Sequence, residues 1–260
     1  MPNKVSFSAM RRPNIYDVNY KLGKDYNGSY PDKKIIETMD KLFPQPGLTK
    51  IMDIGAGDGR NTIPLAKKGH YVIANELSPV GRTIINQRAC RENLPIMIKT
   101  IDHDILKKPF PQQVNAAIIS HVTQYFNLDE LNIALKNISA SLSKEGILIF
   151  DALINKGEKK SPSRTNIIDG NSFFDSDKVI KAGEKSGLQL VEMSDYNEKG
   201  PSRSWYVDLK QWGGKGVKTV PKTQGMPEEF NIVAKFLSDL TEFFTRRRKV
   251  ELKWFVFKKL

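Results

Sequence analysis

Short apolar runs alternate with stretches of helical periodicity along most of this chain, and the alternation predicts its elements. Ile35, Ile36, Met39 and Leu42 recur at helical spacing in a segment that begins with Pro31 and Asp32, so residues 31–43 read as a leading helix. Strands are expected at about 50–54, 71–76, 96–101, 114–120 and 146–153, with helices over 60–69, 80–92 and 128–143 between them. Strands separated by helices of this length form βαβ units and a mostly parallel sheet. Beyond Asp175 the pattern resumes with a helix, SDKVIKAGEKSG, and a strand, LQLVEMSDY. A long helix is expected from Pro227 to about Arg247, with Phe230, Val233, Leu237, Leu240 and Phe244 on its apolar face, and a last strand at LKWFVF.

Two segments depart from the alternation. Residues 155–172 are polar and rich in Lys, Ser, Gly and Asn, while residues 198–226 mix glycine and lysine with Trp205, Tyr206 and Trp212. Both follow late strands, where the ligand-contacting loops of an open α/β sheet lie. They read either as substrate lids or as solvated loops.

Bulk properties narrow the classes. With 260 residues the chain is long enough for one large α/β domain with insertions. Its single cysteine, Cys90, excludes an internal disulfide, and no Cys/His cluster has metal-ligand spacing, so a metal-free cytoplasmic protein is expected. The N-terminus lacks an apolar core of the signal-peptide type, and no run approaches the roughly 18 apolar residues of a membrane span. A net charge of +12 favours an anionic partner, be it nucleic acid, a phosphorylated metabolite or a membrane surface, without choosing among them.

The most informative stretch is IMDIGAGDGRNT, residues 51–62, which joins the first strand to a helix. Its glycines let the backbone turn tightly and approach a ligand. The spacing G-x-G-x-G differs from the dinucleotide pattern G-x-G-x-x-G, and Asp58 inside the loop would repel a pyrophosphate. A carboxylate there suits a ligand with a positive centre and an amino group, and S-adenosylmethionine has both. DIGAGDG, residues 53–59, resembles the first motif, D/E-x-G-x-G-x-G, of class I S-adenosylmethionine-dependent methyltransferases.

The resemblance continues along the chain. Glu76 stands where the family's second strand ends in an acid that accepts hydrogen bonds from both ribose hydroxyls. Asp104 with Ile105 is similar to the family's acidic-plus-apolar pair at the adenine, with Asp102 as the alternative acid, and SHVTQYF, residues 120–126, is similar to the segment beside the donor methyl. The resemblance thus implies a cofactor site made of Asp53, Gly55, Ala56, Gly57, Asp58, Gly59, Asn61, Glu76, Leu77, Asp104, Ile105 and Ser120. It implies S-adenosyl-L-methionine as methyl donor, S-adenosyl-L-homocysteine as product, and no metal. The implied fold is α/β and doubly wound, a mostly parallel seven-stranded sheet in the order 3-2-1-4-5-7-6 with its last strand antiparallel and helices on both faces. Residues 1–30 are expected as an N-terminal arm over the cofactor, and residues 31–260 as the methyltransferase domain with insertions at 155–175 and 198–226. Tyr16, Tyr20, Tyr26 and Tyr30 make the arm aromatic, as a cap or as a segment packed on the body.

Methyl transfer is an in-line displacement at a carbon that the sulfonium already activates, so the protein supplies alignment and, where needed, a base. His121, at the carboxyl end of the fourth strand, has the best placement for that base, and Tyr125 for orienting the acceptor. The other reading of His121 is packing against the cofactor, and a thiolate or free-amine acceptor would need no base. His70 is expected to be structural and His103 a loop residue.

Absences shape the substrate. No N/D-P-P-Y/F follows the fourth strand, where enzymes that methylate base amino groups place a clasp for a flipped base. Cys90 lies on the third helix, which disfavours a covalent mechanism on cytosine. The basic run Arg246, Arg247, Arg248 and Lys249 reads best as the complement to a helix C-terminus. The expected function is a single-domain methyltransferase acting on O, N or S of a small molecule, similar to metabolite and tellurite-resistance-type enzymes. An RNA or protein methyltransferase is the alternative among enzymes, and a catalytically inactive interaction module the alternative of another class.

Overall fold

The computed structural model describes residues 17, 20, 31–45, 49–155, 173–196 and 250–260. Its strands are β1 (Lys50–Ile54), β2 (Tyr71–Asn75), β3 (Ile98–Ile101), β4 (Val114–Ile119), β5 (Leu142–Asn155), β6 (Leu188–Asp195) and β7 (Val250–Lys259). Its helices are α1 (Lys33–Leu42), α2 (Thr62–Lys67), α3 (Pro79–Arg91), α4 (Leu128–Ser141) and α5 (Ser176–Lys185). The strands form one sheet in the order β3-β2-β1-β4-β5-β7-β6, with β1 to β5 parallel and β7 antiparallel to both β5 and β6. This is the α/β, doubly wound sheet expected from the sequence.

Burial on both faces explains why β1 and β2 read as mainly apolar runs, with Asp53 the buried exception within β1. Successive residues of β1 point to opposite sides: Met52 and Ile54 join a core with Leu131, Leu135, Phe150, Phe255 and Phe257, whereas Ile51 joins another with Ile35, Met39, Leu65, Ile85 and Trp254. Helices α4 and α5 therefore cover one face, and α1, α2 and α3 the other. β6, at the sheet edge, alternates between exposed and half-buried positions after Leu188.

Helix starts are specified locally. Ser78 precedes Pro79 and its hydroxyl accepts from the Gly81 amide at 3.0 Å, which fixes α3. Asn127 and Glu130 exchange side-chain and backbone hydrogen bonds at 2.8 Å each, a capping box that starts α4.

Boundaries differ from the expectation in three places. α2 begins only at Thr62 because the glycine loop continues through Arg60. β3 begins at Ile98, after a turn over residues 95–97. β5 begins directly at the end of α4, and its hydrogen-bonding register with β4 shifts between Val114 and Ala116. The helix expected over 227–247 and most of the insertions at 155–175 and 198–226 lie outside the described residues. Among the described residues, no helix is long and apolar enough to cross a membrane.

Candidate active site

The carboxyl ends of β1, β2, β3 and β4 point to one edge of the sheet, where their following loops enclose a pocket. Its wall is Ile54, Gly55 and Gly57 after β1; Asn75, Glu76 and Leu77 after β2; His103, Asp104, Ile105 and Leu106 after β3; and Ser120, His121, Val122, Tyr125 and Phe126 after β4. Tyr20 lines it from the opposite side.

The glycine loop is built for close approach. Gly55 and Gly57 have φ of +72° and +63°, in the left-handed region that side chains disfavour. A Cβ on Gly55 would sit 2.3 Å from Cγ2 of Val122, and one on Gly57 would sit 3.1 Å from the Tyr20 hydroxyl. A side chain at either position would fill the space between the loop and the opposite wall.

Glu76 is buried, and both its oxygens are already in use: Oε2 accepts from the Gly57 amide and Oε1 from the Ser78 amide, each at 2.8 Å. Burial raises its pKa, against the pull of those two amides. A carboxylate has about four acceptor sites, so two remain beyond those two amides. That pair matches a vicinal diol such as a ribose. Burial, reinforced by the charges of Glu76 and Asp58, raises the Tyr20 pKa, so its phenol stays protonated as a donor.

Of the two candidate acids after β3, only Asp104 lines the pocket; Asp102 is exposed and lies 3.9 Å from Arg82. His103 also lines the pocket, its Nε2 2.9 Å from the carbonyl of Lys108. His70 is buried, as its structural reading implies.

Nine of the residues expected at the site therefore meet in one pocket: Gly55, Gly57, Glu76, Leu77, Asp104, Ile105, Ser120, His121 and Tyr125. Asp53, Ala56, Asp58, Gly59 and Asn61 are not in its wall. Asp53 is buried beneath the loop and accepts from the Thr62 hydroxyl at 2.6 Å. Asp58 is turned to Arg88, 2.8 Å away, and Asn61 to Asp32. Gly59 faces Ile85, and Ala56 is buried.

Beneath the end of the pocket formed by Ser120 and His121 lies a polar network that includes Arg60, Asp32 and Asp151, none of them expected at the site from the sequence. Arg60 donates from Nη1 and Nη2 to the two oxygens of Asp32, at 2.9 and 2.7 Å, and from Nη2 to Ser120 at 3.0 Å. Ser120 donates to Asp32 at 2.5 Å, and the Asn61 amide donates to the same oxygen at 3.0 Å. Asp32 occupies the N-cap position of α1, yet its carboxylate makes no cap hydrogen bond because it is committed inward. On the other side of His121, both oxygens of Asp151 accept from the His121 amide, at 2.9 and 3.1 Å. Asp151 had a signal: a carboxylate inside the apolar run GILIFDALI must find polar partners once buried. Arg60 and Asp32 had none, since their pairing depends on how α1 meets the loop.

These buried acids titrate differently. Desolvation works to raise Asp32, but the Arg60 guanidinium, His121 and hydrogen bonds from Ser120 and Asn61 outweigh it and hold the carboxyl below its usual range. Asp53 is pushed up to about 7, chiefly by burial, and Asp151 to about 6 by burial against the attraction of His121.

Comparison with known proteins agrees with this geometry. Residues 52–150, which span β1 to β5 and contain the pocket wall except Tyr20, match the methyltransferase domain family. Over that stretch the chain is similar to a methyltransferase domain. A ubiquinone biosynthesis O-methyltransferase of Pelagibacter ubique is 26% identical over 174 residues, covering 61% of this chain and 69% of that protein. A probable ribosomal RNA small subunit methyltransferase A of Methanosphaera stadtmanae is 35% identical over 97 residues, and the chain spans only 35% of that protein's length. Among solved structures, the [4+2]-cyclase SpnF superposes with a TM-score of 0.70 at 13% identity, covering 95% of each chain. These matches do not single out the tellurite-resistance-type group.

Proposed function

We propose that this chain transfers a methyl group from S-adenosyl-L-methionine to an O, N or S atom of a small molecule. The observation that carries the reading is Glu76, which keeps two acceptor sites for a diol in the same pocket as the glycine loop, Asp104 and His121. In this reading Gly55 and Gly57 admit the donor's backbone-hugging portion, Glu76 takes the ribose hydroxyls, Asp104 accepts from the adenine amine, and Leu77 and Ile105 flank the ring. When bound, S-adenosylmethionine supplies a methyl carbon activated for in-line displacement. Ser120, His121 and Tyr125 line the methyl side, where His121 accepts the acceptor's proton and Tyr125 orients it. Asp53, Asp58 and Asn61 act beneath and behind this wall by holding the loop.

The N-terminal cap expected over the donor falls mostly outside the described residues, and within it we assign Asp17 and Tyr20 to that role. Tyr20 in the pocket wall supports this, as does Asp17, which accepts a hydrogen bond from the Ser78 hydroxyl next to Glu76. The small-molecule acceptor is supported by the ubiquinone O-methyltransferase relative, and a cytoplasmic setting by the unpaired Cys90.

A second reading, methylation of RNA, draws on the partial match to the ribosomal RNA enzyme and on the net charge of +12. An inactive interaction module is the reading of another class, since one fold serves several activities.

Calorimetric titration with S-adenosylmethionine and S-adenosylhomocysteine, with NAD as control, tests the proposal. Micromolar binding of the adenosyl compounds, about −8 kcal/mol, with none of NAD is the expected result. No binding of either would overturn it. Radiolabelled methyl transfer to a quinol panel against ribosomal RNA then separates the two enzyme readings.

A further inference from the structure

His121 sits where a base is required, but a histidine is a base only at a nitrogen that lacks hydrogen. The surroundings of its ring decide which nitrogen that is. Nδ1 lies 3.1 Å from Oδ2 of Asp151, and Nε2 lies 3.9 Å from Oδ1 of Asp32, beyond hydrogen-bond distance. Asp151 is buried in β5 and also accepts from the His121 backbone amide, so one carboxylate holds the residue at two points. The grip has a backbone counterpart, because His121 has a φ of +56°, a conformation unusual for a residue with a side chain. The main-chain carbonyl of Asp151 further accepts from the Thr123 hydroxyl, which fixes the chain after His121. Tyr196 contacts the ring edgewise at a centroid distance of 5.9 Å.

We infer that Asp151 is the positioning residue for His121: it holds the ring hydrogen on Nδ1 and so leaves the lone pair of Nε2 to take the acceptor's proton. The inference rests on the methyltransferase reading above. In the step it serves, the acceptor atom bonds the methyl carbon, the carbon–sulfur bond breaks with its electron pair passing to sulfur, and the acceptor's proton moves to Nε2. The imidazolium so formed lies between Asp151 and Asp32. Arg60 holds Asp32 ionised and too firmly committed to swing toward Nε2 and claim the proton itself. A carboxylate that fixes tautomer and orientation without leaving its place is a known device of histidine bases.

The test needs no acceptor. The chain has three histidines, His70, His103 and His121, so protein labelled with nitrogen-15 in its histidine rings gives a simple two-bond proton–nitrogen spectrum, assigned with H70N and H103N. Recorded at pH 8 with S-adenosylhomocysteine present, it should show His121 with hydrogen on Nδ1 and none on Nε2. In D151N, where an amide can donate to Nδ1, that form should fall from dominant to minor while affinity for S-adenosylhomocysteine changes less than about threefold. D151E should restore the original pattern. Hydrogen on Nε2 in the unaltered protein, or on both nitrogens, would overturn the inference, as would an unchanged pattern in D151N. If D151N does not fold, the spectrum of the unaltered protein still decides. Failure to bind S-adenosylhomocysteine would instead count against the cofactor reading, and leave the tautomer result standing.

Discussion

Arg60 and Asp32 form a two-pronged ion pair across 28 residues of sequence, and neither side chain is more than 6% exposed. The pair ties the first turn of α1 to the glycine loop, and through Ser120 to the end of β4. Removing one partner strands a buried charge, which costs far more than the intact pair contributes. R60M is therefore expected to lower unfolding stability by about 3 to 5 kcal/mol in urea titrations. R60K should recover little, because an ammonium has no planar fork to meet both carboxylate oxygens. Full stability in R60M would show that Asp32 finds other partners.

Glu76 offers a direct test of the cofactor site. E76A should weaken S-adenosylmethionine binding by about 1 to 3 kcal/mol in calorimetry, as two hydroxyls lose a charged acceptor. The same change frees the Gly57 and Ser78 amides, so the melting temperature without ligand should fall as well. Unchanged affinity would remove Glu76 from the ribose site.

Asp53 gives the stability a pH dependence of definite sign. Its pKa is raised on folding from 3.8 to about 7, mainly by burial, so between those values the folded state holds a proton that the unfolded state has released. Its contribution is therefore most favourable below about pH 4, declines as pH rises to about 7 and is level above, by at most about 4 kcal/mol. Asp32, with its lowered pKa, works the other way and loses its contribution as pH falls. Comparing D53N with the unaltered protein isolates the first effect, since asparagine can still accept from Thr62. D53N should melt higher at pH 8 and equally at pH 4. A difference that stays constant between those pH values would contradict the assignment.

Gly183, on α5, pits local propensity against packing. Alanine in mid-helix gains about 1 kcal/mol over glycine. Here its Cβ would lie 2.4 Å from Cε1 of Phe257, a ring stacked with Phe150 at 5.9 Å in the core. Overpacking of this kind costs about 1 to 3 kcal/mol, so G183A should be net destabilising by denaturant titration. A stabilised variant would mean that the aromatic stack yields easily.

The sheet was legible because its signals are local. Apolar runs such as Ile51, Met52 and Ile54 must be strands buried on both faces, and Ser78 or Asn127 mark helix starts within a few residues. That Gly55, Gly57, Glu76 and Asp104 meet in one pocket was legible for a related reason, since each lies within three residues of the end of a strand whose order in the sheet is fixed. The supporting network was not. Asp32 was visible only as the beginning of a helix, and Arg60 only as the residue after Gly59, because their partnership exists solely in three dimensions. Asp58 and Asn61 looked like ligand contacts from their place in the motif, whereas Arg88 and Asp32 lie close enough to engage them.

The position of β7 bears on how the protein is made. It lies between β5 and β6, and pairs with residues about a hundred positions earlier, from Leu153 with Leu252 to Ile147 with Lys258. During translation, the first five strands can assemble as soon as they leave the ribosome, but β6 has no neighbour in the sheet until residues 250–259 have been synthesised. Such long-range closure is slow, and it leaves the apolar flank of β5 uncovered meanwhile. A nascent chain whose first five strands have assembled therefore carries an open hydrogen-bonding edge along β5, a form that chaperones would be expected to attend and that a ribosome stalled before Val250 would leave behind.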